Sequence, residues 1–130
     1  MARVLVVDDD PGVRALVEVR LKRLGHLVLA VGSGAEALEV LAVKGAPEIA
    51  VLDVLMPGMT GFDLLARLRE DPSCADLPVI FLSGRVEPAD IEAGRALGAT
   101  YLTKPVVFTA LANALDQALL ASMTRADAGW

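Results

Sequence analysis

Several chemistries that small domains rely on are nearly absent from this chain. It has one cysteine, Cys74, and one histidine, His26, in 130 residues. A single thiol excludes an internal disulfide and any metal site built from cysteines. Cys74 falls in the stretch Asp71-Pro72-Ser73-Cys74, a loop by composition, where nothing electropositive activates a thiol; it reads as incidental. His26 lies between Gly25 and an apolar run with no acid nearby, which suits a structural histidine better than a general base. A basic stripe is missing too: 12 Lys and Arg against 17 Asp and Glu leave a net charge of −5, with the basic residues scattered, so direct nucleic-acid binding is not expected. No apolar run nears the roughly 20 residues that cross a bilayer. The N-terminus offers only four apolar residues, Val4 to Val7, before Asp8, so neither a signal peptide nor a membrane anchor is read there and a cytoplasmic protein is expected.

What the chain does have is apolar residues, 55% of the total, enough for one continuous core in a single domain. They recur in a rhythm. Val4 to Val7 is a run suited to a strand buried on both faces, ending in the acids of "LVVDDDPG". Asp10 before Pro11 is a helix start, cap then first position, and predicts a helix over Pro11 to Leu24 with Leu16, Val19 and Leu24 inward and Arg14, Glu18, Lys22 and Arg23 toward water. His26 to Val31 reads as a second strand, and Ser33 with Glu36 as a capping box for a helix through Lys44, stopped by Gly45. Ile49 to Leu52, Val79 to Leu82 and Thr100 to Thr103 read as three more strands, followed by helices over Gly61 to Glu70, Pro88 to Leu97 and Phe108 to about Met123. Thr124 to Trp130 lose the periodicity and are expected to fray. Five strands alternating with five helices at short loop lengths predict an α/β fold, a doubly wound parallel sheet covered by helices on both faces.

Open α/β sheets bind ligands outside the carboxyl ends of their strands. Here those ends carry Asp8 and Asp9, then Asp53, Ser83 and Lys104. Crowded acids repel, and desolvating them costs several kcal/mol each unless a cation compensates. Phosphoryl transfer to a carboxylate needs such a set: carboxylates for Mg²⁺, a lysine on the phosphoryl oxygens and a hydroxyl to hydrogen-bond them. Asp53 fits the nucleophile because it stands alone at its strand end. Asp10 is accounted for as a helix cap, and Pro57 with Gly58 as residues that shape a turn beside the site.

Four segments, "VVDDDP", "VLDVLMPGMTG", "IFLSG" and "YLTKP", occur in that order, and together they resemble the response-regulator receiver domain over residues 2–122. The resemblance implies a flavodoxin-like, five-stranded sheet in the order 2-1-3-4-5, with a receiver over 1–122 and a tail over 123–130. It further implies phosphorylation of Asp53, Mg²⁺ bound by Asp9 directly, by Asp8 through water, by Asp53 and by the backbone carbonyl of Leu55, and a phosphoryl group held by Ser83 and Lys104. Ser83 and Tyr101 take the family's switch positions, and a cis Lys104-Pro105 peptide is implied. The donor is a histidine kinase or histidine phosphotransfer protein, and partner binding or homodimerisation is implied on the face of the fourth helix, fifth strand and fifth helix. Leu55 and Arg85 fall where side chains flank the water that hydrolyses the phosphoryl group, which implies slow loss of the signal. Such a domain catalyses only its own phosphorylation and dephosphorylation.

Simpler readings exist for several of these residues: a solvated strand end for Asp8 and Asp9, a surface lysine for Lys104, a turn pair for Ser83-Gly84, a half-buried edge aromatic for Tyr101. A phosphatase of the haloacid-dehalogenase type is the rival from another class, since Asp8-x-Asp10 follows an apolar strand. It leaves Asp53 without a role and lacks an acidic pair shortly after the lysine. A receiver that only docks, without taking phosphate, would lack a site residue, and none is missing.

Overall fold

The computed structural model describes residues 2–84 and 87–128, the last six of these as backbone only. In chain order it contains β1 (Arg3–Val7), α1 (Pro11–Arg23), β2 (Leu27–Val31), α2 (Gly34–Lys44), β3 (Ile49–Leu52), α3 (Gly61–Arg69), a 3-10 turn (Pro72–Cys74), β4 (Val79–Ser83), α4 (Pro88–Ala96), β5 (Thr100–Thr103) and α5 (Phe108–Ala128). The strands form one parallel sheet in the order β2-β1-β3-β4-β5, as expected.

Strands β3 and β4 are buried throughout, as is β1 beyond Arg3, whereas the edge strands β2 and β5 alternate exposed with covered positions. Alternate residues of each strand feed opposite faces. Leu5, Val7, Leu52 and Phe81 pack with Leu64, Leu65 and Leu68 of α3, while Val6, Val51, Ile80 and Leu82 pack with Val17 and Leu21 of α1 and Leu111 and Leu115 of α5.

Several local expectations are corrected. Leu16, Val19 and Leu24 do not form the inner side of α1; they are exposed, and Val17 and Leu21 are buried instead. A helix lying on a sheet buries a narrow stripe one turn apart, and rotation about its axis selected 17 and 21 rather than 16 and 19. Arg14 is half-buried rather than turned to water. At α2, Ser33 Oγ accepts from the Glu36 backbone N–H, but Glu36 reaches back to Gly32 and not to Ser33, so the box is made with one arm displaced by a residue. The complete capping box starts α3, where Thr60 and Asp63 bond each other's backbone N–H. The last helix runs past Met123 to Ala128 where fraying was expected, and Gly129 and Trp130 lie outside the described residues. Cys74 is in the 3-10 turn and buried within the core. His26 is structural as read: its Nδ1 accepts from the Ala2 backbone N–H at 3.1 Å.

Candidate functional site

The sheet's hydrogen bonds bring the strand ends together. Val7 and Leu52 are paired in the β1–β3 ladder, so the residues that follow them, Asp8 and Asp53, emerge side by side. Asp53 N–H donates to the Val7 carbonyl at 2.8 Å, and Asp8 N–H to the Val31 carbonyl at 3.2 Å. On the other flank Ser83 pairs with Thr103, and Lys104 N–H donates to the Ser83 carbonyl at 2.8 Å. All five expected strand-end residues, Asp8, Asp9, Asp53, Ser83 and Lys104, therefore meet at the carboxyl edge of the sheet.

Asp8, Asp53 and Ser83 are buried, unusual for two acids and a hydroxyl, while Asp9 is exposed. The Lys104 ammonium donates to Asp8 Oδ2 at 2.9 Å and stands 3.5 Å from Asp53 Oδ2. Asp8, Asp9 and Asp53 each present a carboxylate oxygen within 4.8 Å of the others. Burial, then the negative charge of Asp8, push the Asp53 carboxyl from 3.8 up to about 7; a hydrogen bond and charge from Asp9 add to this, and Lys104 opposes it. For Lys104, burial works against the charge, but the hydrogen bond to Asp8 and the charges of Asp53 and Asp8 outweigh it and hold the ammonium above its ordinary value.

One ammonium against three carboxylates leaves the cluster two charges short of neutral when all three ionise. A hard divalent cation with oxygen ligands fits that deficit, and three convergent carboxylates are the donor set that Mg²⁺ takes. Leu55 is half exposed beside this cluster, and its neighbours Val54 and Met56 are buried. The Lys104-Pro105 peptide is cis, as implied. Asp10 is spent on α1, its Oδ1 accepting from the Gly12 and Val13 backbone at 2.9 and 3.2 Å, which removes the second acid that the phosphatase reading needed. Arg85 lies outside the described residues.

Two residues matter here that were given no part in the site from the sequence. Arg14 Nη1 donates to the backbone carbonyl of Asp8 at 2.9 Å, tying the first turn of α1 to the acidic loop. Gly32 makes this possible, since a Cβ there would stand 2.7 Å from Arg14 Nη1. The available signal was spacing: Arg14 follows the cap Asp10 by one helical turn. Gly61 is the other. A Cβ on it would collide with the Asp53 carbonyl oxygen, and its N–H donates to the Val54 carbonyl at 2.9 Å, so the start of α3 presses directly on the end of β3. Tyr101 is 8% exposed, more covered than the half-buried edge aromatic of the simpler reading, and packs against Phe81 and Gly94.

A parallel 2-1-3-4-5 sheet with a lysine-bridged aspartate cluster at its carboxyl edge defines a receiver-type signalling domain. The family model for the response regulator receiver domain matches residues 4–116, and the chain belongs to that family, the receivers of two-component signalling. It is 36% identical over 107 residues to Protein PilH of Pseudomonas aeruginosa, covering 82% of this chain and 88% of that protein. It is likewise 36% identical over 107 residues to the transcriptional regulatory protein AfsQ1 of Streptomyces coelicolor, but there 82% of this chain matches only 46% of the relative, so the chain spans about half that protein's length. Among solved structures, a putative response regulator from Chloroflexus aurantiacus superimposes with a TM-score of 0.84 at 33% identity, covering 92% of this chain and 98% of that one. Among the described residues no helix is long and apolar enough to cross a membrane.

Proposed function

We propose that this receiver takes a phosphoryl group onto Asp53 from a phosphohistidine of a histidine kinase or histidine phosphotransfer protein. The observation that carries the reading is the Lys104 ammonium held between Asp8 and Asp53, at 2.9 and 3.5 Å, at the end of the sheet. An Asp53 oxygen forms the new O–P bond as the donor's N–P bond breaks and its electron pair returns to the imidazole. Lys104 pairs with the phosphoryl oxygens, and the Ser83 hydroxyl donates to one of them. Asp8, Asp9 and Asp53, with the Leu55 carbonyl, would hold Mg²⁺, whose charge offsets repulsion between the carboxylate and the incoming anion. Arg14 keeps the Asp8 backbone, and so the acidic pair, in place. Catalysis extends only to the domain's own phosphorylation and dephosphorylation.

Ser83 and Tyr101 are the switch, and the face of α4, β5 and α5 is the surface they alter, for a partner or a second copy. The receiver occupies 1–122 in this reading, its setting is cytoplasmic, and it contacts neither nucleic acid nor membrane directly. Intact-mass measurement after acetyl phosphate and Mg²⁺ tests the central step. One added phosphoryl group is expected in the wild type and none in Asp53→Asn; undiminished labelling of that variant would place the acceptor elsewhere.

A further inference from the structure

We propose that Gly94 is the positioning residue for Tyr101: it leaves open the inward seat of the ring, so that the switch rests inside the molecule before any phosphoryl group reaches Asp53. This rests on the reading of Tyr101 as the switch residue. Gly94 lies inside α4, where glycine is less stable than alanine. Its backbone does not use glycine's freedom, because the glycines with positive φ are Gly25, Gly45, Gly58 and Gly98. What its lack of a side chain provides is space. A Cβ at position 94 would stand 2.7 Å from Tyr101 Cδ2, 3.5 Å from Cε2 and 3.2 Å from Phe81 Cδ2. Carbon atoms pack best at about 3.5–4.0 Å, so the first of these distances is a clash.

The ring cannot slide deeper to relieve it. Phe81 is fully buried behind it, 6.2 Å between ring centres, and is itself held edge-on by Phe62 of α3 at 4.9 Å. The aromatic row Phe62–Phe81–Tyr101 thus runs from α3 across the sheet to its edge, and α4 closes it with a glycine. A methyl group at 94 leaves Tyr101 one way to go, outward into solvent. The size of residue 94 therefore sets the resting position of the switch.

Tyr101 is the chain's only tyrosine, so selective ¹³C labelling gives one set of ring signals. In the full chain without phosphoryl donor, the wild-type ring signals are expected to be displaced by Phe81 and nitration by tetranitromethane to be slow. In Gly94→Ala the signals should move toward free-tyrosine values and nitration should become about tenfold faster, the change produced by moving a strongly inward population outward. Unchanged signals and rate in that variant would overturn the proposal. Melting temperatures guard against a merely misfolded variant: Gly94→Ala should lower Tm clearly in the wild-type background and far less beside Tyr101→Ala, where the clash with the tyrosine ring is gone and only the 3.2 Å approach to Phe81 Cδ2 and the helix preference remain. A rise in both backgrounds would equally overturn it. Labelling of Asp53 in wild type and Gly94→Ala, followed by intact mass, is independent of the ring; its failure would count against the phosphoacceptor reading and leave the seat at Gly94 standing.

Discussion

At the scale of single residues, the proposed chemistry turns on Asp53 and its neighbour Leu55. The Asp53 carboxyl titrates near 3.8 when unfolded and is pushed up to about 7 in the fold, chiefly by burial and by the charge of Asp8. The folded state thus holds the proton to higher pH than the unfolded state does. Stability tied to this group is complete below about pH 4 and is lost as pH rises through about 7. In EDTA, urea unfolding of the wild type should therefore show stability falling from pH 5.5 to 8, by on the order of 1–2 kcal/mol. Asp53→Asn should flatten that profile and be the more stable protein at pH 8; a flat wild-type profile would mean that Asp53 ionises without penalty. In the proposed reading Leu55 sets how long the phosphorylated form lasts. Half exposed beside the site and unable to hydrogen-bond a water, it is expected to hinder hydrolysis. Leu55→Asn should shorten the phosphoprotein's lifetime about tenfold, or roughly 1.4 kcal/mol in barrier. The check is loss of phosphoryl by mass over time in excess Mg²⁺, beside Arg85→Ala; a wild-type rate in both would assign the lifetime to other groups.

Among the elements, the junction of β3 and α3 is the most constrained. Thr60 and Asp63 cap the helix reciprocally, and the Gly61 backbone lies against the Asp53 carbonyl, so the strand that presents Asp53 and the helix that follows it share one point of contact. Gly61→Ala forces a methyl group into backbone that cannot rotate away. Overpacking of this kind costs about 1–3 kcal/mol. Chemical denaturation should show a loss in that range, with Mg²⁺ affinity falling as well because Asp53 is displaced; a variant as stable as wild type would mean that the junction opens freely. Thr60→Ala, which removes only the cap, should cost about 1 kcal/mol and leave metal affinity intact.

For the molecule as a whole, the proposed cation site and the fold depend on each other. Asp8, Asp9 and Asp53 follow two strands that meet only in the folded sheet, so in the proposed reading Mg²⁺ would bind the native state and stabilise it by mass action. At Mg²⁺ about tenfold above the dissociation constant the gain is about 1.4 kcal/mol. Scanning calorimetry should show Tm rising with Mg²⁺ at pH 8, with a smaller rise below pH 7, where Asp53 holds a proton that the cation must displace. Asp9→Ala should abolish most of the rise, and Arg14→Ala should reduce it by loosening the Asp8 backbone. Equal increments in wild type and Asp9→Ala would mark the acids as merely solvated.

The fold and most of the site could be read from the chain because both are written locally. Apolar runs that end in Asp8, Asp53, Ser83 and Lys104, separated by capped helices, allow one economical arrangement, and a parallel βα topology sends every strand's carboxyl end to the same edge. Tertiary structure decided what depends on two distant segments at once. Which stripe of α1 faced inward was settled by how the helix rolled onto the sheet, so Val17 and Leu21 displaced Leu16 and Val19. Arg14 turned toward the acids because Gly32, in another loop, left room for its guanidinium, and Tyr101 went inside because Gly94 left room for its ring. The raised Asp53 carboxyl belongs to the same group, since desolvation and the field of Asp8 exist only once the strands are paired. Periodicity and capping report neighbours along the chain; steric room and electric field report neighbours in space, and only the packed molecule specifies those.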